Sequence, residues 1–180
     1  TYAEAVSNMV HQLNWNGVVG CSFPTVITKG QCKTAGNISQ DWVGLQVDEF
    51  FSTACGGLQF AVANDADLAA VAEMNIGSGV GLSGKVITIT IGTGLGSGVY
   101  YNGELIPNFE LGRMFHNDGT IIEFFASGAA KSKDELSLEQ WAVRFDFFLN
   151  HVCRICTPDH LIIGGGLSER FEEFKHHLTC

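Results

Sequence analysis

The sequence predicts an α/β fold, in which short apolar strands alternate with amphipathic helices. Short runs rich in β-branched residues, each bounded by glycine or proline, are typical of buried strands. Longer segments carry apolar residues three and four positions apart, which is the period of a helix face. Two of these segments begin with a capping-box pattern, in which Ser or Thr is followed three residues later by Glu or Gln.

The first part of the chain contains both kinds of element in alternation. Thr1 and Glu4 match a capping box, and Val6, Met9 and Val10 then continue on one helical face. Further helices are expected over residues 48–55 and 68–74. Strands are expected over residues 18–23, 26–28, 31–35 and 58–63.

The second part begins with a predicted antiparallel hairpin. Residues 86–91 alternate as a strand does, residues 92–98 read as a glycine turn, and residues 99–101 form the partner strand. Asn102 and Gly103 are the strongest two-residue hairpin signal, so residues 104–106 extend the sheet. A second capping box at Ser137 and Gln140 starts a long helix that Pro158 ends. A strand over residues 161–163, a turn over 164–166 and a helix over 168–178 follow.

Composition excludes several classes of protein. The 180 residues are 46% hydrophobic and only 16% charged, which disfavours disorder. A net charge of −9 disfavours nucleic-acid partners and anionic membrane surfaces. The sequence contains no apolar run long enough to span a bilayer and no secretory signal pattern, so we expect a cytoplasmic protein.

The six cysteines are scattered along the chain. Cys153 and Cys156 form the one tight pair, but it lies within a helical pattern and no second pair completes a metal site. Free thiols in a reducing compartment are therefore expected.

An acidic cluster follows the strand expected at residues 58–63. It consists of Asn64, Asp65, Ala66 and Asp67. Ligands of α/β proteins tend to bind at the carboxyl ends of strands, where a carboxylate can accept a proton from a substrate hydroxyl. The alternative is that Asn64 or Asp65 only caps the following helix.

Two glycine-rich turns are candidates for phosphate or nucleotide binding. Residues 90–98 match neither the dinucleotide fingerprint nor the Walker loop, but glycines allow backbone amides to approach a phosphate. Residues 164–166 precede a helix and leave room for an adenosine. Each could instead be an ordinary turn. Glu110 and Glu123 are acids whose neighbours suggest that they face water, a partner or a polyol.

The order of these motifs resembles the ROK family of sugar kinases, and within that family the polyphosphate glucokinases. The resemblance covers nearly the whole chain and includes the acidic cluster at residues 64–67, the glycine turns, and the segments 107–112, 126–128 and 134–142. It implies an actin-like, two-lobed ATPase fold of the ribonuclease-H type, truncated at both ends. The implied division is an N-terminal lobe remainder at residues 1–63 and a C-terminal lobe at residues 64–180.

The resemblance also implies roles for individual residues in a glucokinase that uses polyphosphate, ATP or both. Asp65 is the implied general base on the sugar 6-hydroxyl. The implied sugar contacts are Asn64, Glu110, Glu123 and Asn37, with Arg113 beside them; the implied donor contacts are Gly92, Thr93 and Gly94, with Gly164 and Gly165 on the adenosine side. Mg²⁺ would bridge the donor phosphates, and a homodimer is implied.

The sequence departs from the family pattern in three ways. The family's phosphate-gripping Asp-x-Gly-Gly-Thr turn and its final strand and helix are absent. Arg113 stands where the family usually has His, which changes the donor geometry at the sugar. Residues 114–119 contain no cysteine, so no zinc is expected there. The alternative to an enzyme is a non-catalytic sugar-binding fragment. A ROK-type transcriptional regulator would need a basic helix-turn-helix segment, and none is visible.

Overall fold

A computed structural model of the chain describes residues 1–36 and 38–180, so Asn37 lies outside the described residues. The expected α/β architecture is confirmed, since helices and strands alternate along the chain. The chain divides into two compact units, Thr1–Leu68 and Ala69–Cys180, which meet within one helix. Among the described residues, no helix combines the length and the apolar character that crossing a membrane requires.

The described residues of the first unit include helices, a 3₁₀ turn at Gln40–Trp42 and two small sheets. Its elements are α1 (Tyr2–Gln12), β1 (Val19–Phe23), β2 (Ile27–Thr28), β3 (Gln31–Cys32), α2 (Val47–Ala54) and β4 (Phe60–Asn64). β1 and β4 pair in parallel, and β2 and β3 form a short antiparallel hairpin. Both hydrogen bonds of the predicted Thr1–Glu4 capping box are present.

The core of the first unit is aromatic. Phe23, Phe51 and Phe60 are buried there, and Trp42 packs edge-on against Phe23 with ring centroids 5.1 Å apart. This core fixes the end of β4, and therefore the position of the acidic cluster that follows it.

The second unit begins within α3 (Asp65–Ile76) and contains a four-stranded sheet. Its further elements are β5 (Lys85–Ile91), β6 (Leu95–Tyr101), β7 (Glu104–Ile106), α4 (Glu123–Ala126), α5 (Gly128–Lys133), α6 (Leu138–Cys156), β8 (His160–Gly164) and α7 (Phe171–Phe174). The strand order is β7-β6-β5-β8, and only β5 and β8 are parallel. Asn102 and Gly103 both have positive φ, as the predicted hairpin turn requires.

The alternation of β5 places its side chains on two covered faces. Ile87, Ile89 and Ile91 pack into the large core beneath α6, whereas Val86 packs with Ala70 of α3 on the other face. The predicted α6 face contributes the side chains that fill the large core: Trp141, Phe145, Phe148, Leu149 and Val152. The sheet is thus held between helices, which fixes the ends of β5 and β8.

Three expectations about the second unit are wrong. Residues 95–98 belong to β6 rather than to a turn, because Gly96 and Gly98 pair with threonines of β5. The final helix expected over residues 168–178 is broken into the short α7 between two 3₁₀ turns, Gly166–Arg170 and Lys175–His177. Phe174 lies fully buried in that segment, and packing of this kind outweighs weak helix propensity.

The third correction concerns the cysteines. Cys153 and Cys180 form a disulfide, so not all six thiols are free. The bond joins α6 to the last residue of the segment that follows α7. Thr179 is attached to the same helix, since its backbone N–H donates to Oδ1 of Asp146 over 2.7 Å.

Trp141 tests the core beneath the sheet. Its side chain is fully buried and Nε1 donates to the backbone oxygen of Ala126 over 2.9 Å. Trp141→Phe should lower the free energy of unfolding by about 1–3 kcal/mol, because it leaves that carbonyl unpaired and creates a cavity. Urea denaturation measures the change. Val143→Ala on the exposed side of α6 is the control, and a similar loss in both variants would contradict the assignment.

Candidate active site

Residues 92–94, which connect β5 to β6, form the expected donor-phosphate turn. Gly92 and Thr93 are exposed, and Gly94 is half-buried. The backbone N–H of Gly92 donates to the oxygen of Gly94 over 3.1 Å, which keeps the turn tight. An exposed turn of small residues leaves main-chain groups accessible to a ligand.

The second predicted glycine turn lies directly beside the first. β5 and β8 are parallel neighbours, and Thr90 of β5 pairs with Gly164 of β8. Gly165 has a φ of +86°, and a Cβ at this position would lie only 2.6 Å from the backbone nitrogen of Ile91. Only glycine permits this approach, which brings the two predicted turns to one edge of the sheet.

A third backbone segment, at the start of α5, completes the arrangement. The N–H of Gly128 donates to the oxygen of Gly92 over 3.0 Å, and a Cβ on Gly128 would meet that oxygen. We call residues 92–94, Gly128 and residues 164–165 the glycine junction. The role of Gly128 was missed in the sequence. The sequence signal was Ser127, a residue type that favours helix N-caps. Its hydroxyl caps the short helix α5, which begins at Gly128.

Glu123 lies against the glycine junction. Its Oε2 accepts a hydrogen bond from the backbone N–H of Leu95 over 2.9 Å, and its carboxylate occupies the space next to Gly94. The side chain is half-buried at the start of α4. A predicted sugar-contact acid therefore lies directly beside the predicted donor turn.

Glu110 precedes a 3₁₀ turn, Leu111–Arg113, that contains Arg113 and is attached to β6. The Ser97 hydroxyl donates to the oxygen of Phe109 over 2.6 Å and accepts from the N–H of Leu111 over 2.9 Å. Gly112 packs directly on the backbone of Leu95. The side chains of Glu110 and Arg113 are exposed. The 3₁₀ turn and Glu123 thus both contact Leu95, which directly follows the glycine turn at residues 92–94.

Asp118, in the segment after Arg113, is an acid with a lowered pKa. Two hydrogen bonds from Thr120 and one contact from His116 lower the pKa of Asp118 to about 2. The ring of His116 packs on Phe125, with centroids 4.4 Å apart. His116 therefore contributes to the packing of this segment.

Asn64 and Asp65 lie in the first unit and at the boundary of β4 and α3. Asn64 is buried; its Oδ1 accepts from the N–H groups of Ala66 and Asp67 over 2.9 and 3.0 Å, and its Nδ2 donates to the oxygen of Thr25 over 3.0 Å. The alternative in which Asn64 caps the following helix, α3, is therefore observed. Asp65 is exposed, and its Oδ1 accepts from the N–H of Ala66 over 2.9 Å. Asn64 thus holds the backbone that carries the exposed Asp65 carboxylate.

Comparison with known proteins adds sequence and structural relatives. The model of the ROK family matches residues 1–114. The polyphosphate glucokinase of Mycobacterium tuberculosis is 34% identical over 172 residues, which cover 96% of this chain and 64% of that relative. This chain therefore spans less than two thirds of the relative's length.

Solved structures support the same assignment of fold. A crystal structure of an inorganic polyphosphate/ATP-glucomannokinase from Arthrobacter sp. strain KM matches with a TM-score of 0.91 and 35% identity, over 98% of this chain and 72% of that one. A ROK family glucokinase from Streptomyces griseus, solved with glucose and AMPPNP, matches with a TM-score of 0.77 over 97% of this chain and 76% of that one. Its 20% identity is evidence for the fold alone. These matches confirm the expected actin-like fold.

The close approach of Gly165 to Ile91 can be tested by adding one methyl group. Gly165→Ala should lower the free energy of unfolding by about 1–3 kcal/mol or more, because the Cβ overlaps backbone atoms at a positive φ. Gly166→Ala is the matched control, since a Cβ there meets nothing within 4 Å. Thermal unfolding followed by circular dichroism compares the two. Equal stability of both variants would contradict the junction geometry.

The cap formed by Asn64 makes a second prediction. Asn64→Ala should cost about 1–3 kcal/mol, since it removes the cap of α3 and leaves the Thr25 carbonyl without its partner. Asn75→Ala replaces an exposed asparagine within the same helix and should be nearly neutral. Urea denaturation of both variants measures the difference. A loss at Asn75 as large as at Asn64 would refute the cap.

Proposed function

We propose a phosphoryl-transfer function from one premise, which is that this chain belongs to the ROK family. The proposed reaction transfers a phosphoryl group from polyphosphate or ATP to the 6-hydroxyl of glucose and yields glucose 6-phosphate. The observation that carries this proposal is the 34% identity to a polyphosphate glucokinase over 96% of this chain. Two observations support it: Glu123 lies beside the glycine junction within the second unit, and the Asp65 side chain is exposed directly after β4.

Asp65 is the proposed general base. A sugar hydroxyl is a weak nucleophile, and a positioned carboxylate assists it by accepting its proton as the new bond to phosphorus forms. The exposed Asp65 side chain is available for this step, while Asn64 fixes its backbone through three hydrogen bonds. Most of the acceleration would come from alignment of the hydroxyl with the phosphorus.

The proposed sugar contacts are the side chains of Asn64, Glu110 and Glu123, with Arg113 close in sequence. Carboxylates and amides form directional hydrogen bonds to the hydroxyls of a polyol. Arg113 carries a fixed charge and donates only, so it would select for sugar oxygens that accept. Asn37 stays a predicted contact outside the described residues.

The glycine junction is the proposed donor-phosphate site. Gly92, Thr93 and Gly94 would offer backbone amides and a hydroxyl to the phosphates, and Gly164 and Gly165 would lie on the adenosine side when ATP is the donor. The residues around this site fit Mg²⁺, because the adjacent Glu123 carboxylate can supply a hard oxygen ligand. When bound with the donor, the ion would neutralise charge that develops on the transferred group.

Asp65→Asn tests the base. The variant should fold normally and lower turnover by about 10²-fold or more, because the amide cannot accept the hydroxyl proton. Formation of glucose 6-phosphate is measured in a coupled assay, with ATP and polyphosphate supplied separately. Glu104→Gln removes an exposed acid of β7 and is the charge-matched control.

Each result of this assay distinguishes between the hypotheses about this protein. Near-normal turnover in Asp65→Asn would refute the base assignment, and the preferred donor of the unmutated chain would place it among polyphosphate- or ATP-dependent enzymes. Glucose binding without product in the unmutated chain would support the non-catalytic sugar-binding alternative. The comparisons do not favour that alternative, since these relatives are named as kinases.

Several expectations from the sequence stay predictions. They concern the homodimer, the cytoplasmic location, the absence of nucleic-acid and membrane partners, and the absence of zinc from residues 114–119. The boundary expected between residues 63 and 64 is also a proposal about the lobes of the complete fold.

A further inference from the structure

Three potential metal ligands, none of them among the residues assigned to phosphoryl transfer, converge at the start of α6. Glu139 lies in the first turn of α6, and His176 and His177 lie in the 3₁₀ turn Lys175–His177. One ligand atom from each side chain lies within 4.8 Å of the other two. The imidazole rings of His176 and His177 have centroids 4.1 Å apart and are tilted by 41° to each other.

His177 has a buried nitrogen that no protein group satisfies. Its Nε2 is inaccessible to solvent and has no hydrogen-bond partner within the described part of the chain. The nearest carboxylate oxygen, Oε1 of Glu139, lies 4.0 Å away, which is too far for a hydrogen bond. A buried polar atom left unpaired costs free energy, so its position calls for an absent partner.

The donor set identifies the chemical class of that partner. Two imidazole nitrogens and one carboxylate are the ligands of zinc sites that keep a fourth position for water. Mg²⁺ prefers oxygen ligands throughout, so this site differs from one built for the donor phosphates. We propose that Glu139, His176 and His177 form a binding site for a divalent transition metal, with Zn²⁺ as the best-matched ion.

The exposure of the three side chains allows an ion to enter. The Glu139 side chain is 77% exposed and can rotate to shorten its distance to the histidines, whereas the His177 side chain is only 26% exposed. The half-buried imidazole of His177, with its inaccessible Nε2, thus supplies the more fixed ligand, and the exposed carboxylate supplies an adjustable one. The ion would lie at the surface with one position open to water.

Such a site would strengthen the attachment of the last segment to α6. Phe174, two residues before His176, packs edge-on against Trp141 with ring centroids 5.1 Å apart. The Cys153–Cys180 disulfide and the bonds from Thr179 to Asp146 hold the segment farther along the same helix. A metal at Glu139 would add a link at the beginning of α6 and hold Phe174 in the core. This role is independent of the proposed kinase function.

Metal binding by the intact chain tests the site directly. Zn²⁺ is titrated against a chromophoric chelator, and thermal unfolding is followed with and without the ion. We expect one ion per chain and a higher Tm with zinc, since a ligand that binds only the folded state stabilises it. Glu139→Gln and His176→Gln should each weaken zinc binding by about tenfold or more and abolish the Tm increase.

The control variant is His160→Gln, which removes an exposed histidine at the start of β8 and should leave zinc affinity unchanged. Because Glu139 is exposed, Glu139→Gln keeps the test valid even if a histidine variant fails to fold. Co²⁺ provides a spectroscopic check, and its absorption should show nitrogen and oxygen ligands without a sulfur charge-transfer band. Unchanged affinity in Glu139→Gln, a sulfur band, or no binding would overturn the proposal.

Discussion

The close contact between Gly165 and the backbone of Ile91 is the constraint on which the second unit's site depends. β5 and β8 are the only parallel neighbours among the described strands of that sheet, and both glycine turns follow directly from their carboxyl ends. Any side chain at position 165 would force these ends apart. Close packing of backbone atoms therefore holds the turns at residues 92–94 and 164–166 together.

The core beneath the sheet keeps that contact in place. Isoleucines of β5 rest on the aromatic face of α6, so the strand cannot shift without opening a cavity. The same helix attaches the last segment of the chain through the Cys153–Cys180 disulfide and Asp146. The helix thus connects two parts of the unit: it packs beneath the strand that leads to the glycine junction, and it carries the proposed zinc ligand Glu139 in its first turn.

Several residues have a structural role in addition to the proposed chemical one. Asn64 caps α3 and bonds to Thr25, and Glu123 accepts a hydrogen bond from the N–H of Leu95. Kinetic defects in variants at these positions would combine lost ligand contacts with lost local order. Asp65 is simpler to interpret, because its side chain is exposed and it accepts a hydrogen bond from the adjacent backbone N–H of Ala66.

The sequence by itself determined the local elements of this protein. The capping boxes at Thr1 and Ser137, the alternating strand β5 and the hairpin turn at Asn102 depend on residues a few positions apart, so their signals are complete within a short window. The order of motifs also identified the family.

Only the tertiary structure decided which of these elements contact each other. The contacts of Gly165 with Ile91, Gly128 with Gly92 and Cys153 with Cys180 join distant parts of the chain, and the burial of Phe174 breaks a helix that local periodicity predicted. Such contacts depend on packing between elements that are distant along the chain, and the residue types within a short window do not reveal which elements will pack together.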